Sequence, residues 1–176
     1  MKVLETERLI LRRFTVEDAQ FVLTLVNEPS FLRYIGDKKI RNLQDARQYI
    51  LSGPVASYER HGFGLCLVGL RETHTPIGMC GLLKREELPE PDIGFALLPA
   101  FWNKGFAFEA ATVVLQDARE RLGLQRILAI TSLDNDASIK LLERLGFTFE
   151  KVTKLAADHE PVKLFQIRLS SGINDR

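Results

Sequence analysis

Short apolar runs, separated by polar turns that often contain Gly or Pro, divide the chain into candidate strands. Runs of this kind, bounded by turn residues, are typical of strands. The central runs are continuously apolar instead of alternating, so we expect helices on both faces of the sheet that they form. The predicted strands are Arg8–Arg12, Phe63–Leu70, Ile77–Lys84, Asp92–Leu98, Arg126–Thr131, Phe147–Lys154 and Val162–Leu169.

Capping residues and helical spacing predict four helices. Thr15 with Asp18, and Asn42 with Asp45, each pair a helix-capping side chain with an acidic residue three positions later. Small and apolar residues recur at helical spacing after Gly105, and Gly146 is typical of a helix stop. The predicted helices are 15–26, 42–52, 105–121 and 138–145, with an irregular segment at 27–41.

The order of these elements predicts the fold class. We expect a single α/β domain of the α+β type over residues 1–169, followed by a short C-terminal tail at 170–176. Its centre would be a mixed sheet of about six to seven strands covered by helices on both faces. The chain contains no internal repeat and no linker-like segment.

Composition excludes several classes of protein. The 176 residues are 45% hydrophobic and 27% charged, with a net charge of +1, which is ordinary for a soluble domain and does not favour nucleic-acid binding. No apolar run approaches the ~20 residues that cross a bilayer, and the charged N-terminus does not resemble a signal peptide. Two cysteines, Cys66 and Cys80, support neither a disulfide framework nor a metal site, so we expect a cytoplasmic protein without metal.

The junction between strand 92–98 and helix 105–121 carries the most specific chemistry. It places a loop with Lys104 and a single glycine, Gly105, directly before a helix that begins with small residues. Unpaired backbone N–H groups and the positive end of the helix dipole meet there, which favours an anion such as a diphosphate. On spacing alone, a helix that simply follows a glycine-containing turn explains the pattern equally well.

Three segments resemble the GNAT acetyltransferase superfamily, and especially its branch of ribosomal-protein N-terminal Ala/Ser acetyltransferases. Asp92–Ala110 is similar to the acetyl-CoA signature of that branch, Asn135–Phe147 to its second cofactor motif, and Glu7–Arg12 to its first strand. The similarity extends from about residue 5 to 168 with the expected spacing. Trp102 is usual in this branch, whereas the wider superfamily often has Arg or Gln there.

The resemblance implies where acetyl-CoA is held. Backbone groups near the start of the long helix would bind its diphosphate, and its pantetheine arm would lie like an added strand beside Phe95–Leu98. An N–H near Leu97 or Leu98 would polarise the thioester carbonyl, and Asn135 would hold the pantetheine amides unless it is only a helix cap. The diphosphate-binding residues implied are Asn103, Lys104, Gly105, Phe106 and Ala107.

Acetyl transfer to an amine also needs a proton donor and a base. Ser138 is the first candidate to protonate the CoA thiolate, although a serine in a first helical turn often bonds its own backbone. Asp92, at the mouth end of its strand, is the candidate base, with Glu86 and Glu87 as alternatives and a solvated charge as the simpler reading of each. The acceptor amine would lie against residues 34–41 and 85–91, which are expected to be loops.

One departure from the superfamily pattern keeps other functions open. Many members have a tyrosine general acid four residues after Ser138, where this chain has Leu142. The chain is therefore predicted to be an N-acetyltransferase acting on a peptide α-amine or a small primary amine, or else an acyl-CoA sensor without turnover. An unrelated nucleotide-binding α/β protein is a third reading. The pattern does not distinguish a monomer from a homodimer.

Overall fold

A computed structural model describes residues 2–170, and one mixed sheet runs through this part of the chain. The strand order is β1-β2-β3-β4-β5-β6-β8-β7, and neighbouring strands are antiparallel except β5 and β6, which are parallel. Of the predicted tail 170–176, only Ser170 lies among the described residues. The strands are β1 Leu4–Glu5, β2 Leu9–Arg13, β3 Leu65–Leu70, β4 Pro76–Leu83, β5 Asp92–Leu97, β6 Arg126–Ser132, β7 Thr148–Thr153 and β8 Val162–Arg168.

The described residues form eight strands, slightly more than expected, and the additional one is the two-residue β1. Leu4 and Glu5 pair with Leu11 and Ile10 at the edge of the sheet. A strand of two residues has no alternating pattern that sequence inspection can detect. The seven longer strands confirm the predicted segments to within a few residues.

Six α-helices occur among the described residues, two more than predicted. Both additional helices are short: α2 lies inside the segment expected to be irregular and begins with Pro29, which suits a first helical turn. The other, α4, follows a widened turn at Leu51–Val55 and ends at Gly62, whose φ is 75°. The helices are α1 Ala19–Val26, α2 Pro29–Tyr34, α3 Leu43–Ile50, α4 Ala56–His61, α5 Phe106–Glu120 and α6 Asp136–Leu145.

Helices cover both faces of the sheet, as the continuously apolar strands predict. On one face, α5 packs closely because Ala110, Ala111 and Ala118 are fully buried against the strands. On the other face, α1 and α3 bury their apolar sides against β3 and β4, with Ala46 and Ile50 fully enclosed. No helix within residues 2–170 is long and apolar enough to cross a membrane.

Candidate active site

The parallel strands β5 and β6 separate after a single register pair. Asp92 pairs with Leu128, and the N–H of Leu128 donates to the carbonyl of Pro91 at 2.9 Å. Beyond this point β5 stays paired with β4, and β6 stays paired with β8. The two strands therefore leave a gap that is closed at Asp92 and open towards their carboxyl ends.

The backbone of β5 offers hydrogen-bonding groups to this gap. Leu98 donates its N–H to the carbonyl of Ile77 on β4 at 2.9 Å, and donor direction alternates along an antiparallel strand. The N–H groups of Leu97 and Phe95 therefore point away from β4 and into the gap. Of the two predicted donors, Leu98 is already engaged within the sheet, which leaves Leu97.

Trp102 fixes the end of β5 at the mouth of the gap. Its indole Nε1 donates to the carbonyl of Leu97 at 2.9 Å, although the residue is 43% exposed. This hydrogen bond turns the chain back over the strand end before α5 begins. Trp102 is therefore an anchor of the loop in this structure.

The loop before α5 has the backbone expected of an anion site. Asn103 and Gly105 both adopt left-handed conformations, with φ of 58° and 80°, and α5 starts immediately afterwards at Phe106. The first intrahelical bond runs from the N–H of Glu109 to the carbonyl of Gly105, and no side chain caps the helix at Gly105. The N–H groups of the first helical turn therefore have no intrahelical acceptor and point outward at the mouth.

A cluster that sequence inspection missed holds this loop from the other end of the chain. Arg8 donates from Nη1 to the carbonyl of Lys104 at 2.9 Å and from Nε to Glu109 at 2.7 Å. Its guanidinium carbon lies 4.4 Å from the centre of the Phe106 ring. The contact spans 101 positions along the chain, so no local pattern signals it.

Across the gap, α6 begins with the two residues expected from the second motif. The side-chain oxygen of Asn135 accepts from the N–H of Ser138 at 3.3 Å, so Asn135 is a helix cap here. Its amide nitrogen is not used by that bond. Ser138 is partly exposed in the first helical turn, whereas Leu142 is fully buried in the core, so no polar group occupies the position of the superfamily's usual tyrosine.

Asp92 lies at the closed end of the gap, so its expected place at the mouth is wrong. Its carboxylate is 1% exposed, and both oxygens are 3.1 Å from Nε of Arg85. Burial raises the pKa of Asp92 above its ordinary value, while the charge of Arg85 and its hydrogen bond act in the opposite direction. Glu86 and Glu87 are exposed on the adjoining loop.

Thr131 is a second group that the sequence did not reveal. It lies on β6 three positions beyond Leu128, as Phe95 lies three positions beyond Asp92, so the two are level across the gap. Its hydroxyl is buried and has no hydrogen-bond partner among the described residues. A buried hydroxyl without a partner is unusual, because buried polar groups are normally hydrogen-bonded.

Each predicted acceptor segment contributes a buried side chain: Ile40 packs with α1 and α3, and Leu88 packs against Leu128 of β6. Arg33 on α2 reaches Asp134, in the turn before α6, with 3.2 Å between Nη2 and Oδ2. Tyr49 on α3 packs against the same core as Ile40, where burial raises the pKa of its phenol and keeps it protonated. Among residues 2–170, no group of three or more His, Cys, Asp or Glu side chains could hold a metal ion.

Comparison with known proteins places this geometry in context. A family model described as an acetyltransferase (GNAT) domain matches residues 8–148. Two relatives are named as uncharacterized N-acetyltransferases. YoaA of Bacillus subtilis is 32% identical over 154 residues, covering 86% of each chain, and p20 of Bacillus licheniformis is 32% identical over 164 residues, covering 93% of this chain and 90% of p20.

Solved structures share the fold over nearly the whole chain. An acetyltransferase from Agrobacterium tumefaciens superposes with a TM-score of 0.81 at 25% identity, over 95% of this chain and 94% of that one. RimL, a ribosomal L7/L12 alpha-N-protein acetyltransferase solved with coenzyme A, superposes with a TM-score of 0.83 at 17% identity, over 96% of this chain and 98% of RimL.

Proposed function

Since this chain belongs to the GNAT acetyltransferase family and is an acetyl-CoA-dependent N-acetyltransferase, we propose that it acetylates a primary amine in the gap between β5 and β6. The observation that carries the proposal is the single register pair between these strands, at Asp92 and Leu128. An ordinary parallel pair would continue and leave no room for a substrate. The opening therefore fits an extended acyl-CoA arm.

The loop before α5 is proposed to bind the diphosphate of acetyl-CoA. Its donors are backbone N–H groups of Asn103, Lys104, Gly105, Phe106 and Ala107. The bare first turn of a 15-residue helix adds a favourable dipole at the same place. Gly105 suits this role because its left-handed φ and missing Cβ let an anion approach the backbone closely.

The edge of β5 is proposed to hold the pantetheine arm. The N–H groups of Phe95 and Leu97 face the gap, and the free amide nitrogen of Asn135 lies at the start of α6. Leu97 is the donor proposed to polarise the thioester carbonyl, which in comparable sites contributes about 3 to 4 kcal/mol in the transition state.

Acetyl-CoA supplies an activated acyl group. The amine nitrogen is proposed to attack its carbonyl carbon directly, and the C–S bond breaks when the resulting tetrahedral intermediate collapses. Ser138 is proposed to give its hydroxyl proton to the departing thiolate. Asp92 is proposed to take the proton of the attacking nitrogen through water. Burial raises the pKa of Asp92, which makes its carboxylate a stronger base than an exposed one. The ion pair with Arg85 keeps the carboxylate oriented.

Among the possible acceptors, an α-amine has the least need of a general base. With a pKa of about 7.7 to 8.0, roughly a tenth of an α-amine is already neutral at pH 7. Deprotonating a lysine side chain with a pKa of about 10.4 would cost about 4.6 kcal/mol at that pH. We therefore propose a protein or peptide N-terminus, or a small amine of similar pKa, in the cytoplasm. Two similar structures support the same class by their names: RimL is an alpha-N-protein acetyltransferase, and an acetyl transferase from Salmonella typhimurium modifies the N-terminal serine of ribosomal protein L7/L12.

Thiol release from acetyl-CoA tests the proposal. A panel of peptides with different N-terminal residues, together with small amines, should include an acceptor that drives steady release of free CoA. The matched control is each peptide with its N-terminus blocked, which should give only background release. Tight binding of acetyl-CoA with no release for any amine would contradict the proposal and favour the acyl-CoA sensor instead.

A further inference from the structure

Arg8 contacts the proposed diphosphate loop and the start of α5. Its Nη1 donates to the carbonyl of Lys104 at 2.9 Å, and its guanidinium stacks on Phe106. The Nη2 atom lies 3.3 Å from where a Cβ on Gly105 would stand. Arg8 therefore contacts Lys104 and Phe106, the residues on either side of Gly105, and restricts the direction in which the peptide groups between them point.

The same arginine neutralises a carboxylate close to the site. Glu109 lies in the first turn of α5, and its Oε2 is 2.7 Å from both Nε and Nη2 of Arg8. The backbone N–H of Arg8 and the hydroxyl of Thr6 donate to the other oxygen at 2.9 and 2.5 Å. Burial alone would raise the pKa of Glu109, but these hydrogen bonds outweigh it and hold the pKa below its ordinary value.

A free carboxylate in this turn would oppose the binding of an anion. It would compete with the diphosphate for the positive end of α5 and repel it as a like charge. The carboxylate is ionised, so the positive charge of Arg8 is what balances it. Arg8 thus supplies two conditions for anion binding: a fixed Lys104 carbonyl and a compensated Glu109.

We propose that Arg8 is a positioning residue for the diphosphate of acetyl-CoA, acting through Lys104 and Glu109 from the bend just before β2. The inference rests on the proposed function, because it assigns Arg8 to the diphosphate site of that same reaction. It predicts that Arg8 controls affinity for CoA and has little effect on the chemical step, since its contacts lie at the mouth of the gap.

Calorimetric titration with CoA, combined with steady-state kinetics, tests this role. Arg8→Ala should weaken CoA binding by at least about tenfold, as expected when a hydrogen bond to a charged group is lost and its partner is left unpaired. KM for acetyl-CoA should rise in parallel while kcat at saturation stays close to the wild-type value. A merely structural role would lower the melting temperature and leave the affinity of the folded protein unchanged.

Two further variants separate charge from general damage. Glu109→Gln removes the opposing charge, so the double variant R8A/E109Q should bind CoA more tightly than R8A alone. Arg71→Ala is the matched control, because Arg71 also holds the N-terminal segment, with Nη1 3.0 Å from the Thr6 carbonyl, but does not contact the loop. The affinity of the Arg71→Ala variant for CoA should equal that of the wild type.

The outcomes separate this inference from the proposed function. If wild-type protein binds CoA and R8A binds equally well, Arg8 has no role at the site and the inference is wrong. An equal loss in R71A would likewise overturn it, since general loosening of the N-terminal segment would then explain the effect. If the wild type itself does not bind CoA, the proposed function fails first.

Discussion

Substitution of Gly105 separates the backbone requirement of the diphosphate loop from its electrostatics. Gly105 has a φ of 80°, and an added Cβ would meet Nη2 of Arg8 at 3.3 Å, the movable end of a side chain. For a residue other than glycine, this left-handed conformation costs about 1 to 2 kcal/mol of conformational free energy. Gly105→Ala should therefore lower the melting temperature by about 2 to 8 °C in a chain of this size.

Gly105→Glu introduces the same backbone strain as Gly105→Ala and adds a carboxylate beside the diphosphate. Two unit charges about 5 Å apart repel by about 3 kcal/mol at an effective dielectric constant of 20, and by about 1 kcal/mol in bulk water. CoA should then bind about 5 to 150 times more weakly to the glutamate variant than to the alanine variant. The expected order of affinity is wild type, then G105A, then G105E.

Gly123 provides the matched control for the backbone cost. Its φ is 65°, and a Cβ there would meet no atom within 4 Å. Gly123→Ala should lose a similar amount of thermal stability, measured by scanning calorimetry, with no change in CoA affinity, measured by isothermal titration. Wild-type affinity in G105E, or an equal loss in G123A, would refute the assignment of the loop.

Three other substitutions test the reacting groups and the fold. Ser138→Ala should lower kcat by about tenfold or more with little change in CoA affinity, as expected when a general acid is lost. Unchanged turnover in an assay of free thiol would exclude Ser138 as the proton donor. Asp92→Asn should lower kcat/KM at pH 7, and kcat/KM should recover towards pH 9, where an α-amine is neutral without a base. The exposed control Glu87→Gln should match the wild type. The reverse result would assign the base to Glu87. Burial alone would raise the pKa of Asp18, but hydrogen bonds from Arg12 and the Thr15 N–H hold the pKa below its ordinary value. The ionised carboxylate therefore stabilises the fold above about pH 4, and this contribution to the free energy of unfolding is lost as the pH falls. Asp18→Asn should accordingly lower the melting temperature at pH 7 more than at pH 3, and an equal loss at both would contradict that linkage.

The sequence predicted those elements whose signals are local. The side chain of Asn42 accepts from the N–H of Asp45, and the N–H of Thr15 donates to Asp18, as the capping patterns require. Fully buried alanines on α5 likewise follow from its helical spacing. Interactions within one turn of helix are encoded by neighbouring residues, which is why inspection finds them.

Long-range contacts account for what inspection missed. The divergence of β5 from β6 depends on strands that are joined through α5, and no pattern within either strand reports where their pairing ends. Arg85 pairs with Asp92 seven positions away across an irregular loop, and Arg8 pairs with Glu109 at a separation of 101 positions. Such contacts link residues without a fixed spacing, so the sequence supplied the candidates at this site without their arrangement.

A crystal structure of the protein with CoA tests the central claim most directly. The account predicts the diphosphate on the backbone N–H groups of residues 103–107, with the pantetheine arm in the gap beside Phe95 and Leu97. Ser138 should then lie within hydrogen-bond distance of the thiol. Coenzyme A bound elsewhere, or a closed gap in which β5 and β6 pair beyond Asp92 and Leu128, would contradict it.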